Sequence, residues 1–397
     1  MTVVDKARNS VSQYDMNGNL LFLWTGRVSV GTPQMGINQS PVAVDTNSKN
    51  EIFILDDALN FAQVLEPTEF GTAVHQAYIM TRDGRYEESE QYWEYIVKLN
   101  AHFTPAYAGL ARAAFYRENY EEALELYRLA GDAVGYSDAF WQVRLEWFQK
   151  NFAFMANTMV ILAVGLLIGA KMRKRLKFSF RSSKKEKDER KRIWLLEQLK
   201  QAFVNLKHPL DGFTDLRFMN KGGYLSAFII LALVITIVLA KVFLTGFAFN
   251  PVPPGQVNVG SILSIGAVVW VSFVICHYLI GSIKQGEARF KDIFVGSSYA
   301  LFPVVLLGLP LALFSNVMTL SELAIYEFFE FLMILWSAAL FFWMIQALQN
   351  YRVGEAVVSI LLTFFSMVMM WVLAFIIVGL SSETFNFLYT IYQEVTM

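Results

Sequence analysis

The side chains with most chemical potential in this chain of 397 residues are few and scattered. Its histidines are His75, His102, His208 and His277, and Cys276 is its one cysteine. A zinc site needs three or four such ligands around one point, and a disulfide needs a second thiol. No G-x-x-x-x-G-K-[ST] stretch offers a phosphate loop and no G-x-S-x-G offers a nucleophile. The reading is therefore no enzyme, no metal and no cofactor. What remains is a set of ionisable residues in apolar surroundings, namely Lys241, Glu327, Glu330 and His277. An unpaired charge at the centre of a bilayer costs at least ~2.5–3.5 kcal/mol on insertion scales, and less near an interface. Lys241 is expected to pair with Glu327 or Glu330 at a shared depth, the plainer alternative being that each snorkels to the interface. His277 is expected to be a hydrogen-bonded packing histidine, ahead of a proton-relay or ligand role.

The elements that must position these residues follow from composition. The chain is 55% hydrophobic and only 17% charged, against about a quarter charged in soluble domains. A membrane span needs about 20 apolar residues, and six segments qualify: 152–170, 224–247, 260–283, 293–314, 325–349 and 356–380. Gly308 and Pro310 predict a kink or break in the fourth. The connections 171–223, 284–292 and 350–355 carry twenty Lys/Arg, whereas 248–259, 315–324 and 381–397 carry none. By the positive-inside rule residues 1–151 and the C-terminal tail 381–397 are extracytoplasmic, and 171–223 is cytoplasmic. The run "KMRKRLKFSFRSSKKEKDERKR", residues 171–192, directly follows a span. It reads as a basic cytoplasmic linker and orientation signal that meets an anionic inner leaflet, and not as a nucleic-acid arm. In 193–223, Ile193, Leu196, Leu199, Phe203 and Leu206 recur at helical spacing. They predict an amphipathic helix that lies on the inner leaflet or packs against the bundle.

Residues 1–150 hold 12 basic and 20 acidic residues, unlike the basic remainder. Two stretches there repeat at an offset of 51: Val4-Asp5 precedes Asn9 by four residues, as Leu55-Asp56 precedes Asn60. Each pairs short strands through an Asp turn, and "SPVAVDTNSKN" adds another strand and turn. Residues 1–70 resemble NHL-type β-propeller blades, of which one and part of another are present. Propellers close with four to eight blades. The first strand starts two residues after Met1 and no secretory leader precedes it, so the sequence is read as N-terminally truncated. Residues 71–151 show a period of 34: Ala77 maps to Ala111, Tyr86 to Tyr120, Ser89 to Ala123, Trp93 to Tyr127 and Tyr107 to Trp141. This resembles tetratricopeptide repeats. The resemblance implies a groove for a protein partner, with Tyr78, Tyr92, Tyr95, Tyr107, Tyr116 and Trp141 as candidate lining. The repeat-matching aromatics are read as core.

Residues 200–390 resemble the Yip family of five-span membrane proteins. "HPLDGFTDLRF", containing Pro209, precedes the first of the five spans. "VGSSYALFPVVLLGLP" opens the third with Gly296, Ser298, Tyr299 and Pro303, and "NYRVGEA" precedes the last. The small side chains of "GSSYA" are read as helix packing in preference to a binding site. Eukaryotic members act in vesicle traffic and bind small GTPases; propeller and tetratricopeptide modules outside the membrane imply a bacterial member, so that role is not carried over. The expected fold is a multi-domain membrane protein. A polytopic α-helical bundle, with one linking span (152–170) and a five-span Yip-like domain (224–380), carries an extracytoplasmic tetratricopeptide α-hairpin array and a partial β-propeller. The expected role is a scaffold or accessory subunit of an envelope complex. The alternatives are a transporter component, which would have transporter subunits as partners and carbohydrate as one candidate cargo, and a membrane-shaping protein. The expected partners are the bilayer and an extracytoplasmic protein.

Overall fold

The computed structural model describes residues 1–15, 18, 20–25, 38–175, 194–219 and 221–396. Most of the basic run and Ile193 lie outside these, as does most of the hairpin turn after Asp15. The chain divides into two compact units, 1–164 and 165–397, taken in turn.

The first unit opens with two antiparallel three-stranded sheets. One is β1 (Thr2–Asp5), β2 (Ser10–Tyr14) and β3 (Leu20–Thr25). The other is β4 (Pro41–Thr46), β5 (Ile52–Asp56) and β6 (Phe61–Leu65). The 51-residue repeat has a structural cause. Asp5 Oδ1 accepts the amides of Ala7 (3.0 Å) and Arg8 (3.1 Å), and Asp56 Oδ1 accepts that of Leu59 (3.1 Å). Asn9 and Asn60 then take left-handed φ of 52° and 53°, a conformation Asn tolerates better than other non-glycine residues. Asp56 is fully buried because it also receives the amides of Gln39 and Ser40. Val11, Ile52 and Ile54 form the core between the sheets.

Helices follow: α1 (Glu69–Arg82), α2 (Tyr86–Leu99), α3 (Thr104–Tyr116) and α4 (Tyr120–Ala130). Thr68 caps α1 by accepting the Gly71 amide, and Pro105 sits in the first turn of α3, where its missing N–H costs nothing. Three of the 34-residue correspondences occupy equivalent buried positions: Ala77, Ala111, Ser89 and Ala123 are fully buried, and Trp93 and Tyr127 nearly so. Tyr86, Tyr107 and Tyr120, read as core, are only half-buried, and Trp141 is exposed. Small residues let the helices cross closely. A Cβ on Gly109 would stand 2.3 Å from the Trp93 ring. The next helix, α5 (Ala133–Arg175), runs 43 residues without interruption.

The second unit is helical. Short helices α6 (Trp194–Lys207) and α7 (Pro209–Phe218) precede α8 (Tyr224–Leu244), α9 (Val259–Ile283), α10 (Phe290–Ala300), α11 (Phe302–Phe314), α12 (Leu323–Gln349) and the 44-residue α13 (Val353–Thr396). Among the described residues of the whole chain, six helical stretches are long and apolar enough to cross a membrane. They make this a multi-pass membrane protein. Phe213, Ile230, Tyr299, Leu340, Met344 and Leu348 form the bundle's core, while large apolar residues such as Phe228, Ile334 and Phe365 face outward. α13 buries Ala356, Ser359, Thr363 and Met367 along one face; beyond Trp371 its described side chains are all exposed.

Two expectations need correction. The break in the fourth span falls at Leu301–Pro303, between α10 and α11, whereas Pro310 lies inside α11. Pro303 has no N–H to give and crowds the carbonyl four residues back. The Leu301 amide turns to Ser298 O instead (3.3 Å), and α11 restarts with Pro303 in its first turn. The face of α6 also differs from its apolar stripe. Gln198, Gln201, Ala202 and Asn205 are buried against the bundle, Leu199 and Leu206 flank them, and Leu196 and Phe203 are exposed. Gln201 donates to Gly212 O (3.2 Å), so α7 supplies partners for this polar face.

Candidate functional site

Within the first unit the helices and the end of β2 enclose a cavity of about 370 Å³. Trp93 and Gly109 form its floor, and Tyr78, Arg82, Arg112, Thr104, Asp15 and Asp132 line its walls. The Trp93 ring is fixed by its Nε1–H bond to Thr81 Oγ1 (3.0 Å) and by an edge contact with Tyr78 at 4.9 Å. Burial, with a smaller contribution from the Asp15 charge, pushes the Tyr78 hydroxyl up to about 12 against the opposing pull of Arg112. Burial likewise pushes Tyr127 up to about 12. Both phenols therefore stay protonated near neutral pH. Of the aromatics expected to line a groove, Tyr78 alone does so. Tyr116 stacks on Tyr86 at 3.9 Å, Tyr95 hydrogen-bonds Glu69, and Trp141 lies under Arg144. Trp93, read as core, is both core and floor. The signal for that was Gly109, sixteen residues on, which leaves the ring one open face.

In the second unit the motif residues have packing roles. Pro209 opens α7 behind His208. A Cβ on Gly296 would stand 2.7 Å from Leu348 Cδ1 and 2.9 Å from Met344 Cγ, so α10 and α12 touch there. Ser297 and Ser298 turn their hydroxyls back to Phe294 O (3.0 and 2.8 Å). The buried Tyr299 hydroxyl donates to Gln198 O on α6 (3.1 Å), and Pro303 restarts the helix. Arg217, at the end of α7, was not singled out by sequence reasoning. Its guanidinium donates to Leu348 O (2.8 Å), Glu287 O (3.0 Å) and Glu287 Oε2 (3.0 Å). It joins α7, the loop after α9 and the end of α12.

Residues 205–378 match the Yip1 domain. The match runs from the end of α6 into α13. Comparison with curated proteins and with solved structures found no match. The five motif positions all fall inside the Yip1 domain, and the cavity falls outside it.

The four intramembrane polar residues also belong to the Yip1 domain, but they do not converge. Lys241 on α8 forms an ion pair with Glu330 on α12. Tyr326, one turn away from Glu330, packs on Phe249 with ring centroids 4.8 Å apart. Glu327 is exposed and makes no ion pair among the described residues. His277 lies elsewhere, fully buried between α9 and α13, with Nδ1 3.1 Å from Thr363 Oγ1. No group of three or more His, Cys, Asp or Glu residues among the described residues could hold a metal ion.

Proposed function

We propose that the chain is a bacterial membrane scaffold or accessory subunit of an envelope complex, in which a Yip1 bundle anchors an extracytoplasmic module that binds a protein partner. The observation that carries this reading is the cavity beside α1 and α3. It has a rigid aromatic floor and both signs of charge on its walls, as a site for an extended peptide segment requires: apolar contact with a few polar groups that fix orientation. The tetratricopeptide resemblance supports the same use, and the twenty-to-zero basic asymmetry of the connections supports an extracytoplasmic module.

A photo-crosslinking residue at Ala108, which lines the cavity, tests it in the full-length protein in native membranes. A defined protein adduct is expected from Ala108, absent from the same residue placed at Glu125 on an exposed helix face, and lost with Arg112→Glu. Equal adducts from both positions, or none from Ala108, would overturn the reading.

A further inference from the structure

His277 has a second nitrogen that no packing role accounts for. Thr363 Oγ1 donates its one proton to Ser359 O (2.8 Å), so toward His277 it acts as acceptor. The imidazole must then carry its proton on Nδ1, which leaves a lone pair on Nε2. Nε2 is buried and meets no hydrogen-bond partner among the described residues, and neither does the Ser359 hydroxyl one turn from Thr363. The ring lies parallel to Phe273, with centroids 5.6 Å apart, and Phe273 meets Phe341 of α12 edge-on at 5.0 Å.

The charged surroundings are equally definite. Residues 259–283, 331–349 and 356–382 contain no Asp, Glu, Lys or Arg. The other titratable groups on α9 are Cys276 and Tyr278. At its end Lys284 donates to Glu355 O at the start of α13, and Glu355 in turn accepts the Arg352 amide. On α10, which also packs against α9, Asp292 is held by Arg289 and Lys291 is the remaining cation. Among these residues, no carboxylate hydrogen-bonds the ring, whose one partner is Thr363.

We propose that His277 Nε2 is a proton-accepting site and that its occupation opens the seam between α9 and α13. A proton taken from hydronium forms one N–H bond and leaves water and an imidazolium. The new N–H donor finds no acceptor among the described residues, and an unpaired buried charge is strongly destabilising. Separating the helices admits water to the cation and relieves that penalty. Neutral His277 holds the seam closed through Thr363.

The chain carries its own reporter. Cys276 is its only cysteine, is 1% exposed, and stands 3.9 Å from Met370 Sδ across the same seam. The test measures N-ethylmaleimide labelling of Cys276 in the full-length protein in native membranes, from about pH 8 down to about pH 4, which spans ordinary histidine titration and the region below it. Each rate is divided by that of a small free thiol at the same pH, which cancels the change in thiolate fraction. The normalised rate is expected to rise about tenfold or more through the transition, a population shift of modest size, and to stay low and flat in His277→Gln. A flat wild-type profile overturns the proposal without recourse to any variant. A rise of equal size in His277→Gln, with that variant still monodisperse, overturns it as well.

Discussion

Replacing Arg217 tests which of its contacts hold the bundle together. Its side chain is 13% exposed, so solvent screens it little, whereas Glu287 is half exposed. A hydrogen bond from a charged donor is worth ~1.5–3 kcal/mol net, and Arg217 makes two of them to the main-chain carbonyls of Leu348 and Glu287. Arg217→Gln can keep at most one weaker bond, so the expected loss is about 2–4 kcal/mol. For a domain of this size each kcal/mol moves the unfolding temperature by roughly 2–4 °C, which gives a fall of about 4–16 °C. Arg217→Lys reaches one carbonyl and is expected to fall about half as far. Glu287→Gln removes the exposed ion pair but leaves both carbonyl bonds, so it should stay near wild type. Thermal unfolding in detergent, followed by a thiol-reactive fluorophore on the buried Cys276, reads all three. If Glu287→Gln matches Arg217→Gln, the surface ion pair is what matters and the carbonyl argument fails.

Other expectations concern single contacts. Gly109→Ala drives a Cβ into the fixed Trp93 ring and should destabilise the first unit by about 1–3 kcal/mol in thermal unfolding; wild-type stability would show that the ring yields freely. Hydrogen bonds from Asn350 first, then from Arg217, hold the Glu287 carboxyl below its ordinary 4.5. A depressed folded-state value contributes stability that is present above pH 4.5 and lost as pH falls through the folded value. Protection factors in 284–292, with intrinsic exchange divided out, should therefore fall only below about pH 4.5, and Asn350→Ala should shrink that fall. For Lys241 and Glu330, each under a third exposed, either single change to Met strands a partly buried charge, whereas the double change removes both. A double-mutant cycle on unfolding should show coupling of about 1–2 kcal/mol, and additivity would refute the pairing.

The spans and their order were legible because length and apolarity are local properties. Rotation about a helix axis is not. Glu327 and Glu330 are three residues apart, on nearly one face, and only the rotation of α12 within the bundle selects Glu330 for Lys241. Pro303 and Pro310 carry the same local penalty, but the turn before Pro303 already sends the Ser297 and Ser298 hydroxyls to Phe294 O, which compete with the regular ladder there. The polar face of α6 was misread for a physical reason. Beside a bilayer, burial in protein is no more apolar than exposure to lipid, so an apolar stripe does not point inward. Arg217 was illegible because its acceptors lie 70 and 131 residues away. In the first unit the Asp–Asn turns were visible because their hydrogen bonds are local.

The length of α13 has a mechanical consequence. Its 44 residues rise ~66 Å at 1.5 Å each, about twice the ~30 Å of hydrocarbon. The apolar run stops at Ser381, Ser382 and Glu383 while the helix continues to Thr396. Backbone and bilayer are thus separate rulers on this element, and only side chains record where water begins. Sliding α13 along its axis breaks no hydrogen bond within it. What resists such a stroke is the row Ala356, Ser359, Thr363 and Met367, with the bonds from Lys284 to Glu355 O and from Trp371 to Ser272 Oγ at its two ends, so α13 behaves as a rod gripped near one end.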